Sequence, residues 1–150
     1  MDTLLLRISG AMQAWGVSSR FGVRDSGLEP SKSGVTGLVG AALGMRREDE
    51  ALLARLAGLR MGVRVEREGS LQMDFQTAKD VLIAGGKHKE TEVSYRYFLA
   101  DGLFLVGLAG EDAALLRQIE AALQQPVFPL FLGRKAFPPG EPVWLAEITI

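Results

Sequence analysis

The chain has 150 residues, of which 47% are apolar, so it can fill the core of one ordinary domain and is not expected to be disordered. Its formal net charge of −1 gives no reason to expect a free-standing nucleic-acid binder, and any polyanion site must be a local patch. The absence of cysteine excludes disulfides, thiolate zinc sites and cysteine nucleophiles. Because the chain also has one histidine, we expect no metal and no cofactor.

The N-terminal stretch predicts a strand. Between Thr3 and Ser9, the apolar residues Leu4, Leu6 and Ile8 alternate with polar ones, as they do on a strand with one buried face. The apolar run in MDTLLLRISG is far shorter than a signal-peptide core or a membrane span. We therefore expect a cytoplasmic protein without membrane contact.

The stretch that ends at Gly44 predicts an amphipathic helix. Ser31 or Ser33 can cap its first turn, and Gly44 can end it. Its apolar residues recur at the helical spacing: Val35, Leu38, Val39, Ala42 and Leu43. Gly37, Ala41 and Gly44 form a second stripe of small residues, which indicates that something packs very close to this helix.

The later elements complete a recognisable order. A short helix is predicted over 49–57, and a strand of alternating residues follows over 61–66. An apolar run over 99–108 predicts a buried strand, a helix begins at Asp112 and ends before Pro126, and a last strand is predicted over 144–150. This order predicts an α+β fold in one domain, residues 1–150: a ferredoxin-like (RRM-like) β-α-β-β-α-β sheet with its helices on one face.

A long insertion separates the second and third predicted core strands, over about 69–98. Long insertions are often functional, and the Gly85-Gly86 pair predicts a turn at the tip of this one. Basic and aromatic groups follow the turn: Lys87, His88, Lys89, Tyr95, Arg96 and Tyr97. They are candidates for RNA contact. Four Lys or Arg are matched by four Asp or Glu across the insertion, so a solvated hairpin remains an equal alternative.

Two further places combine glycine or a helix start with cations. Ser31, Lys32 and Ser33 stand at the predicted N-terminus of a helix, where free N–H groups and the helix dipole favour an anion. Arg134 and Lys135 follow a glycine that would let the backbone approach a phosphate. An ordinary helix cap and an ordinary turn use the same residues, so each signal has a structural alternative.

The irregular segment between the first strand and the first helix carries the remaining candidates: Gln13, Trp15, Arg20 and Arg24. Trp15 could stack on a base or lie in the core, and the apolar strand next to it favours the core slightly. The two arginines are better candidates for RNA contact, because a charged group is costly to bury without a partner.

Most familiar catalytic patterns are absent from the sequence. A nucleotide-binding P-loop has four residues between its two glycines and a glycine directly before its lysine. GLEPSKS does not match this pattern, because only three residues follow Gly27 before the SKS segment and a serine precedes Lys32. No Ser-His-Asp set or pair of catalytic carboxylates stands out. A metal-independent ribonuclease is harder to dismiss, because His88, Lys87 or Lys89, and Tyr95 or Tyr97 could supply an acid, a base and a cation.

Four segments in order resemble one known family: LRISGAMQAWG, SRFGVRDSGLEPSKSGVTGLVGAALGMRRED, YRYFLADGLFLVGLAG and FPLFLGRKAFPP. They look like the fifth Cas-protein family, the CasD-type subunits of type I-E CRISPR Cascade complexes. The resemblance implies a ferredoxin-like domain of the RAMP superfamily that caps one end of the complex and holds the 5′ handle of the CRISPR RNA. It also implies contact with the backbone and large subunits, and contact with target DNA mainly through the complex.

The resemblance further implies that the insertion is a thumb reaching onto the RNA-bound backbone subunit, while the opening segment and LGRK line the path of the handle. Members of the family commonly continue well beyond the strand that ends here at Ile150. In type I-C relatives the same family cleaves the precursor RNA, whereas in type I-E a separate endoribonuclease does so. We therefore expect an RNA-binding subunit that is not an enzyme, with a processing endoribonuclease and a protein-only interaction domain as the alternatives.

Overall fold

The computed structural model describes residues 1–17 and 22–145. In chain order, its strands and helices are β1 (Asp2–Ser9), β2 (Met12–Gln13), β3 (Val23–Arg24), α1 (Lys32–Leu43), α2 (Glu50–Gly58), β4 (Arg60–Arg67), β5 (Ser70–Leu82), β6 (His88–Ala100), β7 (Leu103–Gly110) and α3 (Ala113–Gln124). The fold is therefore of the mixed α+β class that the sequence predicts.

A three-stranded antiparallel sheet with the order β1-β7-β4 forms one layer. The alternation seen in the sequence puts Leu6 and Ile8 of β1 and Phe104 and Val106 of β7 completely inside. Helix α3 packs on β1 and β7, and α1 packs on α3. The core lies between this sheet and these two helices.

The helix boundaries follow the capping signals. Ser31 is the N-cap of α1 and its hydroxyl accepts a hydrogen bond from the Gly34 N–H, while Gly44 ends the helix in the left-handed conformation, with φ at 72°. Asp112 caps α3 by accepting from Leu115 N–H at 3.0 Å. The hydrogen bonds from Arg55 and Leu115 lower the pKa of the Asp112 carboxyl, because they stabilise its ionised form.

The predicted insertion is a long hairpin. Strands β5 and β6 pair in antiparallel register from Ser70↔Ala100 to Leu82↔His88, and Gly85 and Gly86 form the turn with φ at 90° and 79°. The predicted apolar strand over 99–108 is wrong in one respect, because a turn at 101–102 divides it between β6 and β7. Asp101 adopts a φ of 60° there, which allows the tight reversal.

Two elements of two residues each had no signal in the sequence. Strand β2 pairs antiparallel with the base of β6, and β3 pairs parallel with its middle. They attach the irregular opening segment to the hairpin. Of the last predicted strand, Trp144 forms an isolated antiparallel bridge with Leu6 of β1, and residues 146–150 lie outside the described residues.

Candidate functional site

Three arginines from separate parts of the chain meet at the base of the hairpin. Arg24 lies on β3, Arg96 on β6 and Arg134 in the loop after α3, and all three line one open cleft of about 280 Å³. We call this cleft the arginine cleft; its other lining residues are Ala14, Gly16, Asp25 and Gly133. Since Arg24 is the register partner of Arg96, their side chains leave the sheet on the same face.

The guanidinium of Arg134 is held in place by backbone oxygens. Its Nη2 donates to the carbonyl of Tyr97 at 2.9 Å and, more weakly, to that of Arg24 at 3.5 Å. The guanidinium carbon also lies 5.6 Å from the centre of the Phe137 ring. These contacts fix the position of the cation before any ligand arrives.

The electrostatics of the arginine cleft favour an anion. Burial lowers the pKa of Arg134 from its ordinary value, and the positive charges of Arg96 and Arg24 lower it further. Asp74 and Asp25 act in the opposite direction but less strongly. Arginine remains charged at neutral pH, so three neighbouring cations repel one another, and an anion between them would relieve that repulsion.

Gly133 sets the position of the loop that carries Arg134. Its φ is 88°, and a Cβ at this position would lie 1.6 Å from the carbonyl oxygen of Ala14. The Ala14 N–H also donates to Leu132 O at 3.0 Å, so the two segments run directly against each other. Only glycine permits this approach, and the approach places Arg134 over the opening segment.

The predicted RNA contacts of Gln13 and Trp15 are not available in this structure, since their exposed fractions are 0% and 1%. Trp15 Nε1 donates to Gln13 Oε1 at 3.1 Å, and Gln13 Nε2 donates to the Gly102 carbonyl at 2.7 Å. The indole packs against Gly34, where an added Cβ would meet the ring at 2.6 Å. Both side chains therefore belong to the core, where their polar atoms have hydrogen-bond partners.

The three residues at the start of α1 lie outside the arginine cleft. Ser31 serves as the helix cap, and its hydroxyl is 3.4 Å from that of Ser33. The exposed Lys32 donates from Nζ to the Ala57 carbonyl at 2.7 Å, which ties α1 to the end of α2. The ordinary helix cap, which was the structural alternative to an anion site, therefore accounts for the position of these residues.

The hairpin tip is separate from the cleft as well. Lys87, His88 and Lys89 are all exposed. His88 Nδ1 lies 2.8 Å from Asp80 Oδ1, and Lys89 pairs with Glu92 at 2.5 Å. Lys135, next to Arg134, is exposed and does not line the cleft, and Arg20 lies outside the described residues.

The residues of the ribonuclease alternative are not brought together. His88 and Tyr95 are seven residues apart on one strand, which separates them by about 24 Å and puts their side chains on opposite faces. Tyr95 instead makes an edge contact with the Phe75 ring, with ring centres 5.4 Å apart. Lys87, His88 and Tyr95 therefore cannot act on one phosphate in this structure.

One face of the hairpin is apolar and exposed. The odd-numbered residues of β5 and β6 share this face, and five of them are between 38% and 56% exposed: Leu71, Met73, Phe75, Val93 and Tyr95. The even-numbered residues, among them Asp74 and Arg96, lie on the other face. The hairpin thus presents an apolar face and, on its opposite side, the face of the arginine cleft.

Among residues 1–17 and 22–145, no helix is both long and apolar enough to cross a membrane. Within the same ranges, no group of three or more histidine or carboxylate side chains is arranged to hold a metal ion.

Comparison with known proteins places this chain in one family. The family model described as CRISPR-associated protein (Cas_Cas5) matches residues 3–149. The CRISPR system Cascade subunit CasD of Escherichia coli (strain K12) is 32% identical over 155 aligned positions, which cover 95% of this chain and 69% of that protein.

Solved structures agree with this result. A chain of a CRISPR RNA-guided surveillance complex is 38% identical with a TM-score of 0.85, covering 95% of this chain and 62% of the other. A crystal structure of a Cas protein is 45% identical with a TM-score of 0.76, covering 99% of this chain and 65% of the other. The chain thus spans a little under two thirds of the length of these two solved relatives.

Proposed function

This chain belongs to the Cas5 family of CRISPR-associated proteins, and from that premise we propose that it is a non-catalytic subunit of a Cascade-type, CRISPR RNA-guided surveillance complex. In this proposal it binds and caps the 5′ handle of the CRISPR RNA in antiviral defence. It contacts the backbone and large subunits, and it meets target DNA mainly through the assembled complex.

The observation that carries the proposal is the arginine cleft. Arg24, Arg96 and Arg134 converge from three segments, and Arg134 is fixed by two carbonyl oxygens. Guanidinium groups suit phosphate oxygens because they donate in a rigid planar fork. Phosphate contacts supply most of the affinity for a nucleic-acid strand without reading its sequence.

The net charge of −1 supports a shared binding surface. A subunit that held RNA alone would need a wide basic field, whereas one local cluster is sufficient when neighbouring subunits hold the rest of the strand. The arginine cleft then fixes a short part of the RNA, and protein contacts supply the remaining binding energy.

We infer that the domain is ferredoxin-like, with residues 69–98 as its insertion. The sheet order β1-β7-β4 with α1 and α3 packed together supports this arrangement. The bridge between Leu6 and Trp144 supports a fourth strand beside β1. The hairpin would then be the thumb of the domain, with its apolar face against the backbone subunit.

Co-purification tests the proposed function. The tagged chain should be expressed with the other proteins and the repeat array of its locus, and the recovered material examined for small RNA and partner proteins. We expect a discrete small RNA with the wild type and its loss with Arg96→Gln, because that change removes one of the three cations. Recovery of the partner proteins without any RNA would instead support a protein-only interaction domain.

The endoribonuclease alternative has its own test. Labelled repeat RNA incubated with the chain in EDTA should remain intact, because His88 and Tyr95 lie on opposite faces of β6. Cleavage that disappears in His88→Ala would show an enzyme and contradict the non-catalytic assignment.

Shortening the hairpin should abolish assembly without unfolding the domain. Residues 80–92 are exposed or half-exposed, so their replacement by a tight turn removes little from the core. We expect an unchanged melting temperature and no incorporation into the complex.

A full-length variant with Lys87→Ala and Lys89→Ala serves as the control that separates the length of the hairpin from the charge of its tip. If the shortened chain still entered a complete RNA-bound complex, the hairpin would not be the assembly element.

A further inference from the structure

Strand β5 forms one edge of the hairpin sheet. Among residues 1–17 and 22–145, it pairs with β6 and with no other strand. The pairing is uninterrupted from Ser70 to Lys79, and eleven of the thirteen residues of β5 are exposed. A long exposed edge of this kind presents a row of N–H and C=O groups to which a strand of another chain can pair. We call this side of the strand the β5 edge.

The hydrogen bonds of β6 show which backbone groups of β5 point outward. Tyr95 N–H donates to Gly22 O at 2.8 Å and Asp101 N–H donates to Ala11 O at 3.1 Å, so both point away from β5. Tyr95 is the register partner of Phe75, and an antiparallel pair that exchanges no hydrogen bonds turns its backbone groups outward on both strands. Because this direction alternates along a strand, the N–H and C=O groups at the β5 edge belong to Leu71, Met73, Phe75, Thr77 and Lys79.

The two edges of the three-stranded sheet are protected, in contrast to the β5 edge. Strand β4 has a bulge after Val65 and carries three arginines, and the Arg7 N–H of β1 donates to Val143 O at 2.9 Å. Bulges, cations and a covering segment all hinder pairing with another chain. Strand β5 has a continuous register, no proline and a single cation, Lys79. Its edge is therefore suited to pair with a further strand.

We propose that the β5 edge pairs in antiparallel register with the β5 edge of a second copy of this chain, so that two hairpins form one continuous sheet. A two-fold axis then relates the same strand in both copies, as in most homodimers. This inference goes beyond the proposed function and does not depend on RNA binding. The arginine cleft is lined by Arg24 of β3 and Arg96 of β6, on the other side of β6 from this edge.

The charges of β5 fit a second copy in one register. With Gln76 opposite its own copy, Asp74 lies opposite Ala78 and Asp80 lies opposite Gln72, so no like charges face each other. Moving the two-fold axis to Thr77 would put Asp74 directly opposite Asp80, which is unfavourable. The register centred on Gln76 is therefore the one we assign to the dimer.

The same register matches the outward backbone groups of the two copies. Met73 comes opposite Lys79 and Phe75 opposite Thr77, and these pairs exchange about eight N–H···O hydrogen bonds across the two-fold axis. A typical protein interface has roughly 10. Because the contact is one strand wide, its area is at the low end for a stable interface, and we expect a dissociation constant of about 1–100 µM.

Sedimentation velocity of the full chain over a range of concentrations tests the dimer. Thr77→Pro removes an outward N–H from each copy but no hydrogen bond between β5 and β6, because Thr77 and its partner Val93 both turn their backbone groups away from each other. We expect it to weaken the dimer at least about 5-fold. Thr77→Val is the matched control, since it keeps the N–H and should dimerise as the wild type does.

Disulfide cross-linking tests the register independently of Thr77→Pro. The chain has no cysteine, so a single introduced thiol can form a disulfide only with that of another copy. Gln76→Cys places the two thiols opposite each other across the two-fold axis, at a Cα separation of about 4.5 Å that a disulfide can span. Gln72→Cys is the control, since residue 72 is also exposed on the same face but lies opposite Asp80. We expect oxidation to cross-link Gln76→Cys and to leave Gln72→Cys monomeric on a non-reducing gel.

Three results would overturn the dimer. The first is a wild-type chain that remains monomeric at about 200 µM, well above the expected dissociation constant. The second is equal cross-linking of Gln76→Cys and Gln72→Cys, which would show random collisions. The third is a dimer that Phe75→Asp abolishes and Thr77→Pro does not, because the copies would then pack through the apolar face of the hairpin. A monomeric wild type whose assembly into the complex is blocked by Thr77→Pro would assign the β5 edge to a strand of a partner protein instead.

Discussion

Replacing Trp15 with alanine should lower the free energy of unfolding by about 3–5 kcal/mol, the cost of removing a fully buried large aromatic side chain. The indole is 1% exposed and packs against Gly34, so its removal leaves a cavity between the opening segment and α1. It also leaves Gln13 Oε1 without its indole donor. Urea denaturation followed by far-ultraviolet circular dichroism measures the change.

Phe128→Ala is the control for Trp15→Ala, because it removes an aromatic ring that is 48% exposed and should change stability by less than about 1 kcal/mol. RNA binding measured well below the melting temperature completes the test. A Trp15→Ala protein that is as stable as the wild type but cannot bind RNA would make this residue part of the binding surface and contradict its assignment to the core.

Gly133→Ala should both destabilise the fold and abolish RNA binding. A residue other than glycine at a φ of 88° costs about 1–3 kcal/mol, and the new Cβ would also clash with the Ala14 carbonyl oxygen. Because this clash is with backbone, the loop must move, and Arg134 must leave its carbonyl partners. Thermal melting and RNA titration should therefore both be affected.

Gly85→Ala provides the comparison that isolates the clash. Gly85 has a similar φ of 90°, but a Cβ there meets no atom within 4 Å, so this variant has the backbone strain alone. We expect a small loss of stability and normal RNA binding in Gly85→Ala. Equal effects in the two variants would show that the contact with Ala14 does not position the arginine loop.

Patterns among neighbouring residues predicted those strands and helices that neighbouring residues define. The alternation in β1, the apolar stripe of α1 and the cap at Asp112 each describe which face is buried or where a helix begins, and the structure places all three as expected. Strands β2 and β3 could not be predicted in this way. Each has two residues and forms only because β6, far along the chain, supplies its hydrogen bonds.

The candidate site was predictable in its residues but not in its geometry. Arg24, Arg96 and Arg134 were individually recognisable as cations near glycine or aromatic residues, yet up to 110 positions separate them. Their convergence depends on β3 pairing with β6 and on the close approach at Gly133. No local pattern records either contact.

The contact between Gln13 and Trp15 could not be predicted from the sequence, although the apolar strand beside Trp15 already favoured the core for that residue. A buried polar group is costly without a partner, so the amide of Gln13 and the indole N–H of Trp15 need hydrogen-bond partners in the core. Here the two side chains are partners of each other, and the amide also donates to Gly102. A reciprocal arrangement of this kind depends on the fold and leaves no signal in composition or spacing.

The salt dependence of RNA binding tests the arginine cleft most directly. Each phosphate contact adds about 0.7 to the slope of log affinity against log salt for a single strand. Arg134→Ala should therefore weaken binding and reduce the slope by about one contact. Lys32→Ala, which removes a cation bonded to the Ala57 carbonyl outside the cleft, should reduce it less. An Arg134→Ala protein with the affinity and salt slope of the wild type would contradict RNA binding at this cleft.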